Sequence, residues 1–320
     1  MKFPELKIGA LVPRYPIIQG GMSLRVSTAP LAAAVANAGG IGVIGASAMP
    51  VEELRNEIRL ARSKTKGIIG INIMFAVRQF AAMVHTAIEE KIDLIITGAG
   101  FSRDIFHWGK ESGVPIVSIV SSSKLAKIAE KLGAAAIVAE GTEAGGHLGT
   151  MRSIDEILPE IVSAVKIPVI AAGGIVDGKG IAKAIRMGAS GVQMATRFVM
   201  STECAVSDAF KQMYLKATAE DVVVITSPVG MPGRALHNDF TDKILNKAAP
   251  KPEACDGCLK DCSREYCIFQ ALENSRIGQV DQGVVFTGQN VYKINDILPV
   301  QEIFDNLIKE FEQEPEIDGY

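Results

Sequence analysis

The feature that most constrains this chain is a repeating beat. Eight short apolar runs, each too brief for a helix and bounded by Gly or Pro, fall at residues 15–19, 41–44, 68–74, 93–97, 115–120, 135–139, 168–172 and 191–195. Such runs read as strands buried on both faces, the pattern of a parallel sheet. Segments with helical spacing lie between them, at 28–37, 51–63, 77–90, 104–112, 124–131, 154–165 and 179–187. Strictly alternating elements of this kind require crossover helices that cover the sheet. Eight units fit a closed (β/α)8 TIM barrel, an α/β fold that needs about 250 residues with its loops. An open doubly wound sheet would carry one G-x-G-x-x-G turn after its first strand. Here GGMSLRVS follows instead, and Gly or polar residues follow nearly every strand, so function spread over all strand ends favours the barrel.

The beat fails between residues 218 and 283, where Pro228, Pro232, Pro250 and Pro252 accompany a cluster of cysteines. This stretch reads as a small insertion subdomain after strand eight. Apolar positions Ile297, Val300, Ile303, Phe304, Leu307, Ile308 and Phe311 then resume at amphipathic-helix spacing, so the chain is expected to pack back on the barrel. The expected organisation is a barrel over 1–217, the insertion over 218–283 and a returning C-terminal segment over 284–320, ending in an acidic tail.

A net charge of -3, from 33 basic and 36 acidic residues, gives no global basic field for nucleic acid or an anionic membrane. No basic segment followed by an apolar stretch opens the chain, and the apolar runs are far shorter than the ~20 residues that cross a bilayer. A cytoplasmic location is expected. Four of the five cysteines, Cys255, Cys258, Cys262 and Cys267, crowd into CDGCLKDCSREYC. In a large chain without an export signal such clustering reads as metal ligation more than as disulfides. Four thiolates suffice for a [4Fe–4S] cluster or tetrahedral zinc, and the absence of two separated C-x2-C knuckles leans toward iron and sulfur. Free thiols are the plain alternative.

The C-terminal strand ends form the active face of a barrel. After strand one, the Gly20-Gly21 pair admits close approach of a flat ligand, and Met22 can lay a thioether against a ring. Asn72 lies inside an apolar strand and needs partners, from a cofactor edge or from a neighbouring loop. Gly173-Gly174 after strand seven, with a helix soon following, and Gln193 to Thr196 at strand eight occupy the two positions where barrels commonly hold a phosphate. Arg197 could serve phosphate or substrate, although a structural salt bridge is its commoner use. After strand six, Glu140 opens EGTEAGGHLG, which places His147 in a glycine-rich loop at the mouth, where an imidazole is suited to proton transfer. His85 and His107 fall on expected helices, and His237 lies in the insertion without a motif.

These segments carry a resemblance. GGM at 20–22, AGGIGVIG at 38–45, INIM at 71–74, AEGTEAGGHLG at 139–149, IPVIAAGGI at 167–175 and GVQMATRFV at 191–199 resemble the nitronate monooxygenase family, which includes the type II enoyl-ACP reductases. The likeness runs in register over about residues 12–200. It implies FMN held by Gly21, Met22, Asn72, Glu140, Gly145, Gly173, Gly174, Gln193 and Thr196, with His147 catalytic. The likeness leads to an FMN-dependent oxidoreductase of nitronate monooxygenase type. The alternative is NAD(P)H-dependent reduction of an enoyl thioester on acyl carrier protein. EGTEAGGHLG leans to the reductase branch, while Ser23-Leu24-Arg25 departs from the aromatic found there. The Cys segment departs from typical members of both branches and resembles a subgroup of related flavin oxidoreductases. From another class, a flavin and iron–sulfur electron carrier or sensor would also fit, as would a homodimer joined through a zinc-stapled insertion.

Overall fold

The computed structural model describes residues 1–98, 100 and 102–316. Each apolar run becomes a strand: β1 Ile17–Gln19, β2 Gly42–Gly45, β3 Ile69–Met74, β4 Leu94–Gly98, β5 Ile116–Val120 and β6 Ala136–Glu140, then, past a two-residue strand β7 (Gly146–His147), β8 Val169–Ala172 and β9 Gly191–Met194. The helices between them are α1 Ala29–Asn37, α2 Val51–Lys64, α3 Phe80–Glu89, α4 Arg103–Ser112, α5 Ser123–Leu132, α6 Ile154–Val162 and α7 Gly178–Arg186. The eight main strands are parallel in the order β1-β9-β8-β6-β5-β4-β3-β2. The edges meet at Ile18 and Ile41, where Gln19 N–H donates to the Ile41 carbonyl and Ile41 N–H to that of Ile17, both at 3.0 Å. The fold is thus the expected (β/α)8 barrel.

Alternate residues of each strand point to opposite faces. Ile18, Val43, Ile96, Val117, Val138 and Ile170 fill the barrel, and Leu6 joins them beside Gly191 at the start of β9. Their neighbours pack outward against the helices in a second, larger core. Each such aliphatic contributes roughly 1.5–3 kcal/mol on burial, so inner and outer layers jointly fix the register. Helix α3 starts at Phe80, three residues later than its pattern suggests, because Val77 pairs with Leu259 of the cysteine-rich segment instead.

After β9 come α8 Thr196–Val199, α9 Asp208–Lys216, an antiparallel hairpin of β10 Val222–Thr226 and β11 Pro232–Leu236, then α10 Asp239–Leu245, α11 Ile268–Arg276 and α12 Val300–Gln313. Helix α12 buries Val300, Ile303, Phe304, Leu307 and Phe311 between α7 and α1, which is where the eighth outer helix of such a barrel belongs. Phe3 stacks on Phe311 at 3.9 Å and closes that seam. The hairpin reaches back to the mouth. Gly233 and Arg234 of β11 pair with His147 and Gly146 of β7, making a three-stranded sheet over the strand ends. Among the described residues no helix is long and apolar enough to cross a membrane.

Candidate active site

A cavity of about 500 Å³ opens at the C-terminal ends of the strands. Gly21 and Met22 after β1, Asn72 on β3, Glu140 on β6, Gly145, His147, Gln193 on β9 and Thr196 all line it. Gly173 and Gly174 line a smaller pocket of about 60 Å³ that shares Glu140, Gly145, Gln193 and Thr196 with the first. The residues expected to hold FMN are therefore brought together around two adjoining pockets. Ala99, which follows β4 in the sequence, lies outside the described residues.

Two polar side chains facing these pockets lack partners. Gln193 is buried, with no partner for its Oε1, and the Asn72 amide makes no hydrogen bond among the described residues. Buried polar atoms are normally paired, so an orphaned acceptor aimed into a cavity fits a ligand that brings donors. The small pocket fits an anion. Gly173 and Gly174 adopt left-handed φ values of 109° and 70°, which glycine alone takes without strain, and among the described residues no backbone carbonyl accepts from their N–H groups. The donors differ in one respect from expectation. The first turn of α7 is already capped, Gly180 N–H donating to Asp177 Oδ1 and Gly178 N–H to Glu310 Oε2, both at 2.7 Å. The turn and the start of α8 remain to meet a phosphate. Residues 287–290 close the pocket, with Gly288 N–H donating to Thr196 Oγ1 at 3.0 Å and the Asn290 amide to the Gly174 carbonyl.

Burial governs both titratable groups of the cavity. It pushes the Glu140 carboxyl up to about 7 and pulls the His147 imidazole down to about 4. His147 is consequently neutral at pH 7. Its Nε2 lies 2.8 Å from Ser227 Oγ, and its ring meets Phe286 edge-on at 5.1 Å. The two shifts have opposite linkage signs. A carboxyl raised from 4.5 to about 7 costs stability as pH rises through that window, whereas an imidazole lowered from 6.5 to about 4 costs it as pH falls through its own. Glu140→Gln should therefore raise the melting temperature of flavin-free protein at pH 8, by a free energy on the order of 3 kcal/mol, and leave it unchanged at pH 4. Thermal unfolding of both proteins across that range checks the prediction; equal curves at pH 8 would refute it.

Residues 5–310 match the model of the nitronate monooxygenase family. The chain belongs to that family. FabK from Thermotoga maritima superposes with a TM-score of 0.87 at 36% identity, covering 94% of each chain. A (3aS,4S,5R,7aS)-5-hydroxy-7a-methyl-1-oxo-octahydro-1H-indene-4-carboxyl-CoA dehydrogenase of Mycobacterium tuberculosis is 34% identical over 233 residues, 72% of this chain, and the match spans only 65% of that relative's length. A probable nitronate monooxygenase of Staphylococcus aureus is 28% identical over 93% of this chain and 95% of its own. As a family member the protein is an FMN-dependent oxidoreductase.

Other family-like positions resolve structurally. Arg197 turns from the cavity to Asp296 Oδ1 at 2.6 Å and to the Met200 carbonyl at 3.1 Å. His85 packs on Trp108, His107 pairs with Glu111 and His237 with Asp242. The four clustered cysteines form no disulfide, Cys255 and Cys262 being exposed and Cys258 and Cys267 half-buried. They do not present a chelating set: among the described residues no three His, Cys, Asp or Glu side chains could hold a metal ion. Sequence reasoning missed Tyr214, Phe286 and Thr287, which line the cavity from beyond β9 without any motif, and Ser227, which meets His147.

Proposed function

We propose that this oxidoreductase acts on a thioester-linked acyl substrate, with FMN held by Gly21, Met22, Asn72, Glu140, Gly145, Gly173, Gly174, Gln193 and Thr196 and with His147 meeting the substrate. The observation that carries this reading is the lining of the large cavity. Besides the residues assigned to FMN it is lined by Val199, Phe210, Phe269 and Leu272, apolar side chains that suit an acyl chain. The CoA dehydrogenase among the relatives and the likeness to enoyl reductases support the same substrate class. FMN supplies hydride chemistry when bound. The chain's own residues orient the acyl group, exclude water through the β10–β11 hairpin and offer a neutral imidazole to charge developing on substrate oxygen. Oxidation of an alkyl nitronate is the second reading, supported by the family's own description and by the relative from Staphylococcus aureus. No step is assigned to the cysteine cluster.

Anaerobic titration followed at the flavin absorbance separates the readings. Reduction by NADH or NADPH, then reoxidation by crotonyl-CoA, is the expected result; reduction by ethylnitronate alone would select the second. The cofactor itself should be FMN, because one phosphate pocket is present and the sequence has no dinucleotide fingerprint for an adenylate half. Chromatography of the cofactor released on denaturation should recover FMN, and recovery of FAD would overturn the assignment.

A further inference from the structure

We propose that Arg234 is a positioning residue for His147: its guanidinium and its backbone together close the glycine-rich loop that carries the imidazole. The inference rests on the reading of His147 as the group that meets substrate. The loop runs from Glu140, the last residue of β6, to His147 in β7, and Gly141, Gly145 and Gly146 lie within it. Glycine leaves the backbone the most freedom to lose, and a two-residue strand offers only two positions of register. A catalytic side chain on such a loop must be fixed from outside it.

Arg234 grips both ends of the loop. Its backbone pairs with Gly146, and its side chain reaches back to Thr142. There Nε and Nη2 donate to the carbonyl at 3.1 and 2.8 Å, and Nη2 also donates to Oγ1 at 3.3 Å. Thr142 is itself anchored, its N–H donating to the Arg152 carbonyl at 2.8 Å. Past the loop, His147 pairs with Gly233, and Leu148 N–H donates to the Pro232 carbonyl at 2.8 Å. The Arg234 carbonyl in turn accepts from Thr287 N–H at 3.2 Å. One residue thus joins the histidine loop, the hairpin and the segment that closes the small pocket.

A guanidinium is a demanding side chain to place here. Arg234 is buried and forms no ion pair among the described residues, so its charge has exchanged water for the carbonyl and hydroxyl oxygens of Thr142. Burial accordingly lowers its pKa from the ordinary guanidinium value. What it supplies, and an aliphatic chain of equal reach does not, is a rigid fork of donors. Two of its nitrogens converge on one carbonyl, which sets both the distance and the direction of Thr142. With the loop held at both ends, the His147 ring sits 2.8 Å from Ser227 Oγ and edge-on to Phe286. Arg234 lines neither pocket, so it acts through His147 and not on substrate.

Arg234→Met keeps the reach of the side chain and removes its charge and donors. With NADH and crotonyl-CoA, and in parallel with ethylnitronate, it should retain FMN and lower kcat about 10-fold with KM within about twofold. Arg234→Lys, which keeps a cationic donor, should stay within about threefold of the parent. In a His147→Ala background Arg234→Met should lower the rate no further, whereas a general loosening of the fold would act in both backgrounds alike. Nitrogen–proton NMR of the histidine-labelled holoenzyme, with His147 assigned by its loss in His147→Ala, should show its signal shifted or doubled in Arg234→Met. Circular dichroism and flavin content identify a failure to fold, in which case Arg234→Gln, neutral but still a donor, carries the same comparisons. An unmoved His147 signal overturns the proposal. So, where His147→Ala is impaired, does a parental kcat in Arg234→Met or a loss undiminished in the His147→Ala background. A displaced signal beside a fully active His147→Ala would uphold the positioning and remove the catalytic reading beneath it.

Discussion

His147→Ala is expected to fold, to retain FMN and to lose turnover by roughly 10²–10⁴-fold, the range for removal of a group that moves or holds a proton in the transition state. Retention follows from placement. His147 sits on β7 under β11, whereas the orphaned Gln193 Oε1, the Asn72 amide and the Gly173-Gly174 turn belong to barrel strands and their loops, none of which depends on the imidazole. Loss of turnover follows from chemistry: a neutral ring with one nitrogen engaged by Ser227 has its other nitrogen left for substrate. Because burial holds that ring near 4, the protein should not show an inflection from His147 between pH 6 and 8. The competing role is flavin binding alone. It would show as released FMN and a lowered melting temperature with turnover preserved per bound flavin. Steady-state rates normalised to flavin, measured from pH 5 to 9, separate the two, and a parental normalised rate removes His147 from the reaction.

What could be read from the sequence was whatever a local pattern encodes. Gly42–Gly45 or Val169–Ala172 is a strand in any parallel sheet because its apolar run leaves no polar face, and the spacing of Val300, Ile303, Phe304, Leu307 and Phe311 marks a one-sided helix wherever it docks. The glycines and Gln193 of the site were legible because they sit at strand ends, and a barrel sends all its strand ends to one face. The closure of the site was not. The pairing of His147 with Gly233 joins residues far apart in sequence through a two-residue strand, which is too short to show any periodicity. Ser227 meets His147 only through that closure, and nothing about an isolated serine announces it. The capping of α7 by Glu310 was hidden for the same reason, since that carboxylate arrives from α12. The expected organisation of the insertion met a similar limit: its proline-rich composition showed that the beat breaks, but not that the hairpin within it roofs the site.

Gly173→Val should give a folded protein that binds FMN about 5- to 150-fold more weakly. At φ 109° a residue with a Cβ is strained, and that Cβ would lie 3.1 Å from the Ala144 nitrogen and 3.3 Å from the Gly141 carbonyl oxygen. Holding a non-glycine residue there costs about 1–3 kcal/mol. In flavin-free protein the turn is free to relax, so the strain is felt chiefly when the N–H groups must converge on a phosphate, and it converts to the stated loss of affinity at about 1.4 kcal/mol per tenfold. Gly133 supplies the control. It has a similar φ of 104° at the C-terminus of α5, a Cβ there would meet no atom within 4 Å, and it lies outside the cavity. Gly133→Ala should therefore lower the melting temperature while leaving the FMN dissociation constant within about twofold of the parent. Fluorescence titration of both flavin-free variants with FMN measures the difference. If Gly173→Val binds as tightly as the parent, or if both variants weaken equally, the turn between β8 and α7 is not where the phosphate sits.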